Sequence, residues 1–448
     1  MTRRGEIDLS PLAAINFRNN LSMTSTILHY GPSGRLALDV PADRLVASCG
    51  LPASPPLADV AQATAASLAA PLDYPPLPQL VVPGDKVCVA LADGVPQAAA
   101  VVRVVIDRLL AAGVPPHDIT LIRGSAASLP GATDGPAGVF EAGGAKVHVL
   151  THDPADRKRL SYLAASVEGK PIYMNRALAD ADLVIPIGCQ RLDAALGYFG
   201  LNSGLFPTFS DAKNLERYRA PLTAQSPVQL RRMRQEADQV SWLLGVHFLV
   251  QVVPAGDDGV LAVLAGRTSA VDRVASERCL DAWKSSVPWR ASLVVAALSG
   301  PASEQTWLNF ARAMAAALRV VEEGGVIAVC SDLQEAAGPA VRWLASTESP
   351  DTALREIVRE RPVDALAAAQ LVDAVSRSRV YLLSGLPPGV VEDLGLTPID
   401  GAEQLQRLAA QQPSWILLAN AQYAIAMPEG EEDAVSQTPS DRPRAKYE

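Results

Sequence analysis

The stretch 86–123, which begins KVCVALADGVPQ and ends DITLIR, decides the fold class of this sequence. Its first seven residues (86–92) have the length and continuous apolar character of a buried parallel strand. After a turn-rich DGVPQ, apolar residues recur at helical spacing from Val101 to Leu110, and Gly113 ends the helix. The segment 118–123 predicts a second strand. Together they predict a βαβ unit with a right-handed crossover.

The same alternation of strand-length apolar runs and helical segments recurs along the chain and predicts two α/β lobes with largely parallel sheets. The further predicted strands are Lys146 to Leu150, Ala181 to Gly188, Ala291 to Leu298, Gly325 to Cys330 and Arg379 to Ser384. A predicted linking helix, 269–285, places the boundary near residues 270–290. We therefore predict four regions, namely a flexible N-terminus (1–25), an N-terminal α/β domain (26–270), a C-terminal α/β domain (271–427) and a disordered acidic tail (428–448).

Composition excludes several classes of protein. Of the 448 residues, 49% are hydrophobic and 19% are charged, which is typical of a globular chain. A formal charge of -9 disfavours nucleic acid as a partner. The longest apolar runs are too short for a membrane span of about 20 residues. Five widely spaced cysteines indicate neither a disulfide framework nor a zinc site, so we expect a cytoplasmic protein.

Familiar catalytic motifs are absent, since the sequence has no G-x-G-x-x-G, P-loop, G-x-S-x-G or H-E-x-x-H. It has only five histidines. His148 and His152, beside Asp153, have a spacing that could bind a metal, but no third ligand of suitable spacing follows. A structural role at a strand end is therefore the favoured interpretation of this pair.

Polar residues follow three predicted strands. Asp93 follows the first, Arg123 ends the second, and Gly188-Cys189-Gln190-Arg191 follow another. Ligands of α/β sheets bind outside the carboxyl ends of such strands, so these residues predict a pocket. They do not indicate which reaction takes place there. For Asp93 the alternative is a helix cap or a turn aspartate before Pro96.

The order of segments resembles that of the LarA family, the lactate racemases and related 2-hydroxyacid racemases that depend on a nickel-pincer nucleotide. Asp93 stands where the family has a D-x-T-R-P signature, and PIYMNRALADADLVIPIG (171–188) is the most specific similarity. Further similar segments are Tyr30-Gly31, Leu36 to Pro41, Leu110 to Leu121, His152-Asp153, Gly197-Tyr198, Phe206-Pro207, Asn309 to Met314, Glu323 to Gly325 and Ala369-Gln370.

The resemblance implies two α/β lobes with a cofactor cleft between them. In active members the pincer nucleotide accepts a hydride from the substrate α-carbon. A lysine holds this cofactor covalently, one histidine ligates nickel, two histidines serve as acid and base, and an arginine with other polar groups holds the substrate carboxylate.

This sequence departs from that pattern at nearly every functional position. Ser203 falls where the family has its lysine, and Tyr218 falls near the nickel histidine. The catalytic histidines fall near Ala126 and Asp193, and no histidine lies between 153 and 246. The signature arginine is replaced by Pro96. Covalent attachment of a pincer is not expected, and the cofactor is unknown beyond this resemblance.

Second-lobe positions also differ from the family. Arg312 replaces a lysine, Asn309 replaces a glutamine, and Ala367 or Leu366 replaces an aromatic residue. We expect a cleft that binds a small anionic molecule and no nucleic acid or membrane. Its predicted residues are Asp93 and Asp193 as catalytic carboxylates, Arg123, Arg191, Asn309 and Arg312 for substrate, and Ser203 and Tyr218 on the cofactor side.

Two functions are compatible with these residues. One is a 2-hydroxyacid racemase or epimerase of the LarA type, and the other is a catalytically divergent paralogue that binds a small anion, a nucleotide or a protein. An aspartate with an ordinary pKa near 4 is a weak substitute for a histidine base unless burial raises that pKa.

Overall fold

The computed structural model describes residues 23–124, 129–133, 138–192, 200–219, 227–347 and 349–431. Its strands are β1 (Met23–Tyr30), β2 (Gly34–Pro41), β3 (Leu45–Cys49), β4 (Val87–Leu91), β5 (Ile119–Arg123), β6 (Val139–Ala142), β7 (Ala145–Thr151), β8 (Leu160–Ala165), β9 (Pro171–Asn175), β10 (Leu183–Cys189), β11 (Phe248–Gly256), β12 (Gly259–Arg267), β13 (Lys284–Val287), β14 (Ala291–Ala297), β15 (Val321–Cys330), β16 (Arg379–Leu383), β17 (Thr397–Pro398), β18 (Trp415–Leu418) and β19 (Ile425–Pro428). Its helices are α1 (Val60–Ala69), α2 (Ala98–Ala111), α3 (Arg176–Ala179), α4 (Ala212–Tyr218), α5 (Pro227–Leu243), α6 (Thr268–Trp283), α7 (Trp307–Val320), α8 (Pro339–Ser346), α9 (Pro350–Glu360), α10 (Ala365–Arg377), α11 (Pro388–Asp393) and α12 (Ala402–Ala410).

The first lobe is built on a seven-stranded sheet of order β12-β11-β10-β4-β5-β7-β6. Its central pairs are parallel, and antiparallel strands β12 and β6 close its two edges. All five residues of β4 are buried, as the continuous apolar run predicts. Helix α2 connects β4 to the adjacent parallel strand β5 and buries Val101, Val105 and Leu109 against the sheet.

The second lobe has a six-stranded, wholly parallel sheet of order β17-β16-β15-β14-β18-β3. Helices α7 and α10 cover one face, and the β1–β2 hairpin with α12 covers the other. The prediction of an α/β protein with two lobes and largely parallel sheets is confirmed, because the two sheets remain separate.

The start of the chain belongs to the second lobe, which differs from the predicted 26–270 domain. Strand β3 pairs in parallel with β18, and the β1–β2 hairpin buries Leu36 and Leu38 in the same core as Leu293. The side chains of β2 alternate between buried and exposed, so one face of the hairpin has to be covered. That cover comes from the second sheet.

The structure also shows the elements at two predicted domain boundaries, the one near residues 270–290 and the one at residue 428. Helix α6 packs on β11 and β12 of the first sheet, and the next strand, β13, pairs with β19. At the C-terminal end, β19 includes Pro428, and Arg290 pairs with Glu431 at 2.6 Å, so residues 428–431 are part of the fold. The predicted flexible N-terminus before residue 23 and the rest of the predicted tail lie outside the described residues. Within the described ranges, no helix is long and apolar enough to span a membrane.

Candidate ligand-binding cleft

The three predicted strand ends converge at one edge of the first sheet. Strand β4 lies between β5 and β10, so Asp93, Arg123 and the segment after Gly188 are brought to the same rim. Asp93 and Gly188 line one cavity of about 110 Å³. Gly124 packs so closely on the Asp93 carboxylate that a Cβ there would collide with it. The parallel sheet therefore places these groups together, as the sequence predicts.

Residues from both lobes line this cavity. Arg191 and Ser203 come from the first lobe, and Arg312 comes from α7 of the second. Four of the eight predicted cleft residues thus share one cavity: Asp93, Arg191, Ser203 and Arg312. Asp193, the second predicted carboxylate, lies outside the described residues, as does Ala126.

Asp93 is the one carboxylate among the described residues that line this cavity. Burial raises the pKa of its carboxyl from 3.8 to about 6, and the positive charge of Arg123 partly opposes that rise. Burial at the sheet edge therefore meets the condition under which an aspartate can replace a histidine base. A carboxyl with this pKa is largely ionised at pH 7 and can accept a proton.

Ser203 lies in a short 3-10 helix at the cavity wall and is buried. Its Oγ donates a hydrogen bond to the Gly200 carbonyl at 2.6 Å, and its own carbonyl accepts one from Thr208 at 2.9 Å. A hydroxyl held in this way can interact with a polar ligand. It offers no amine for a covalent linkage.

Tyr218 is placed in the core of the first lobe and not at the cavity, contrary to its predicted position on the cofactor side. Its hydroxyl donates to Glu236 at 2.6 Å and lies 3.1 Å from the Met233 carbonyl oxygen. Its ring packs edge-on against Phe206, with centroids 5.3 Å apart. Burial and the nearby Glu236 carboxylate raise the pKa of this phenol, which stays protonated. The aromatic ring is buried for the same reason as its apolar neighbours.

Arg191 joins the two lobes. Its guanidinium lies 5.0 Å from the ring centroid of Tyr423, and Nη2 is 4.0 Å from Oε2 of Glu304. Only 8% of the Arg191 side chain is exposed. Glu304 also accepts a hydrogen bond from Asn309 Nδ2 at 2.7 Å. The second lobe thus supplies a carboxylate and an aromatic ring to an arginine of the first.

Asn309 acts on the cavity through Arg312. Its Oδ1 accepts a hydrogen bond from Arg312 Nη1 at 2.8 Å, one turn along α7. Asn309 is not among the described residues that line the cavity, and its hydrogen bond fixes the position of the arginine. Its predicted role in substrate binding stays a prediction. Arg123, likewise predicted for substrate, acts on the cavity through its charge beside Asp93.

The histidines serve structural or surface roles. Both ring nitrogens of His152 are engaged, Nε2 at 2.8 Å from the Ser210 carbonyl oxygen and Nδ1 at 3.1 Å from Asn175 Nδ2. Burial lowers the pKa of this imidazole, so the ring is neutral. His148 is exposed on β7, the strand that His152 directly follows. Over the described ranges, no group of three or more histidine, cysteine or acidic side chains is placed to hold a metal ion.

Three site residues were not predicted from the sequence. Gln251 lines the cavity from β11 and was detectable, because it is the one polar side chain in the apolar run FLVQVVPAG. Glu304 and Tyr423 lie in connecting segments of the second lobe, where no periodic pattern marks them. Their position follows from the packing of the two lobes.

Comparison with known proteins agrees with this architecture. Residues 30–227 match the lactate racemase N-terminal domain. This part of the chain is therefore similar to the N-terminal domain of the lactate racemases, the LarA family. The fold is similar to that of the lactate racemase apoprotein from Thermoanaerobacterium thermosaccharolyticum, with 15% sequence identity, a TM-score of 0.72, and coverage of 90% of this chain and 100% of that one.

A second solved structure has a similar fold. This protein from Thermotoga maritima has 13% identity and a TM-score of 0.56, and the similarity covers 77% of this chain and 94% of that one. A comparison with curated protein sequences found no match. At these identities the structural similarity concerns the fold, and the chemistry depends on the residues of the cleft.

Proposed function

We propose that this chain is a lactate racemase-like protein that binds a small 2-hydroxy acid in the interlobe cavity. The main support for this proposal is that one cavity is lined by two arginines from different lobes, Arg191 and Arg312. Asp93 and Ser203 line the same cavity. Arginine is the residue best suited to hold a carboxylate, because its planar guanidinium can donate two parallel hydrogen bonds.

The other cavity groups fit the hydroxyl of such a ligand. An ionised Asp93 can accept the hydroxyl hydrogen bond and, with a pKa of about 6, can act as a general base toward that proton. Ser203 and Gln251 supply further hydrogen-bonding groups at the wall. The cavity of about 110 Å³ suits a small acid.

The family's cofactor does not fit these residues. A covalent pincer needs an amine, and Ser203 has a hydroxyl that is bonded to Gly200. A nickel ligand is needed near Tyr218, whose hydroxyl is buried and bonded to Glu236. We therefore assign no step to a bound pincer, and we propose that this member diverges from the hydride-transfer chemistry of its family.

A second candidate is a non-catalytic paralogue that binds a small anion or a nucleotide. It is favoured by the absence of an imidazole at the cavity, since all five histidines lie in the described ranges and none lines the wall. The two candidates share the anion site and differ in whether the protein converts the bound hydroxy acid or only binds it.

Calorimetric titration with L- and D-lactate tests the site. We expect Arg312→Ala to weaken binding at least tenfold. The control is Arg273→Ala, which removes a surface arginine whose side chain is 65% exposed, and it should leave affinity unchanged. Equal affinity in Arg312→Ala and the parent would contradict the site.

Two further measurements separate the candidates. After co-expression with pincer-biosynthesis enzymes, intact mass should show no pincer increment, and nickel should be substoichiometric; a stoichiometric adduct would contradict the divergence. Conversion of L- to D-lactate that Asp93→Asn abolishes would favour the catalytic candidate, and binding without conversion would favour the non-catalytic one.

A further inference from the structure

Helix α7 presents two arginines to the cleft, and only one of them reaches the cavity already described. Arg312, Ala315, Ala316 and Arg319 follow the spacing i, i+3, i+4, i+7, which puts them on one helix face. All four line a second compartment of about 40 Å³. Arg191 and Arg312 line both compartments, so the two compartments meet at these two side chains.

The second compartment is positively charged. Arg191, Arg312 and Arg319 line it, and no aspartate or glutamate does so among the described residues. Arg319 is half-buried, and no hydrogen bond or ion pair joins its guanidinium to any residue in the described ranges. Arg312, by contrast, is held by Asn309. A half-buried guanidinium in this setting favours an anionic ligand group.

The remaining wall suits a short carbon chain. Trp283 stacks on Tyr423 with ring centroids 5.1 Å apart, and both rings border the compartment. The two alanines between the arginines carry no side chain beyond Cβ, which leaves space on the helix face. Gln422 also borders it, with a buried Oε1 that has no protein partner. Such an acceptor completes its hydrogen bonding with a hydroxyl or water.

We propose that the ligand of this cleft is a 2-hydroxy acid that carries a second carboxylate on a short aliphatic spacer, and that Arg319 binds this second carboxylate. The proposal rests on the proposed function and specifies its substrate class. Seven residues of helix separate the Cα atoms of Arg312 and Arg319 by about 10.5 Å. Two guanidinium groups reaching inward from those positions suit the two ends of a four- or five-carbon hydroxy diacid, whereas lactate leaves Arg319 unused.

The test compares lactate with malate and 2-hydroxyglutarate by calorimetric titration of the full chain. We expect a diacid to bind at least tenfold more tightly than lactate. Arg319→Ala should bring the diacid down to the affinity of lactate and change lactate affinity less than twofold, and Arg319→Lys should restore part of the preference. Thermal unfolding of each variant verifies that the fold is retained.

Two other variants test which part of the cleft produces the preference for a diacid over lactate. Ala315→Leu fills the space between the arginines and should abolish the diacid preference while lactate still binds. Arg312→Ala should weaken both ligands. The diacid assignment is wrong if the diacid binds no more tightly than lactate, or if Arg319→Ala lowers the affinity for both ligands equally. In either case the proposed hydroxy-acid site stands. If neither ligand binds, both proposals are wrong.

Discussion

The guanidinium of Arg191 lies 5.0 Å from the ring centroid of Tyr423, and the two residues belong to different lobes. This contact is buried, and Glu304 adds a carboxylate 4.0 Å from the same guanidinium. An arginine that lines the ligand cavity therefore also holds the lobes together. Ligand binding and lobe packing depend on one side chain.

Replacing Arg191 with alanine should consequently affect stability and binding at once. A desolvated cation–π contact contributes about 2 kcal/mol, so we expect the free energy of unfolding to fall by about that amount. Affinity for a hydroxy acid should fall as well. Urea unfolding and calorimetric titration measure the two effects, with the exposed Arg273→Ala variant as control. Unchanged stability would show that the interlobe contact contributes nothing.

Asp93 should make stability depend on pH. Its pKa is about 6 in the folded protein and 3.8 ordinarily, so the folded state binds the proton more tightly than the unfolded state. The stabilisation is complete below about pH 4 and is lost as pH rises through 6. A difference of about two pKa units corresponds to about 3 kcal/mol.

The variant Asp93→Asn cannot ionise and should keep that stabilisation at neutral pH. We expect it to be more stable than the parent by up to about 3 kcal/mol at pH 8, with the difference vanishing near pH 4. It should bind an anion as well as the parent or more tightly, because a negative charge is removed. Unfolding measured from pH 4 to 8 checks this, with the exposed Asp393→Asn as control. A stability difference that does not change with pH would contradict the buried carboxyl.

The convergence of Asp93, Arg123 and Arg191 was predictable because the ends of parallel strands share one edge of a sheet. The addition of β3 to the second sheet was not. Asn420, next to β18, donates to the Gly50 carbonyl across 370 residues, and local periodicity carries no information about a contact of that separation. For the same reason, the sequence did not predict that Glu304 and Tyr423 belong to the cleft. They reach it only through the packing of the two lobes. Tyr218 was predicted on the cofactor side but packs in the core of the first lobe. A sequence position does not show whether a phenol faces a cavity or a core.

Tyr218→Phe should act on the fold and not on the ligand. The variant removes the hydrogen bond to Glu236, a charged acceptor that remains paired with Arg217 at 2.9 Å. Hydrogen bonds to charged groups contribute about 2 kcal/mol, so we expect a loss of about that size in the free energy of unfolding.

Affinity for a hydroxy acid should stay within twofold of the parent, because Tyr218 does not line the cavity. The matched control is Tyr162→Phe, which removes an exposed phenolic hydroxyl on β8 and should leave both quantities unchanged. Loss of binding without loss of stability would instead place Tyr218 at the ligand.

Gly188→Ala should narrow the cavity from the end of β10. A Cβ at this position would lie 2.7 Å from Oε1 of Gln251, closer than side chains tolerate, so Gln251 has to move. That movement disturbs the hydrogen bond from Gln251 to Gln190 at 3.4 Å. We expect a loss of about 1–3 kcal/mol in stability, as for other overpacked buried sites.

The same variant should weaken hydroxy-acid binding about tenfold, because Gly188 and Gln251 both line the cavity. Gly389→Ala is the control, since a Cβ there meets nothing within 4 Å and the residue lies in a helix, α11. Alanine is the better helix former, so this control should be neutral or slightly stabilising. Thermal unfolding and calorimetric titration of the two glycine variants make the comparison. If the two variants had the same stability and the same affinity, Gln251 would be able to move without loss of stability. The end of β10 would then not limit the size of the ligand.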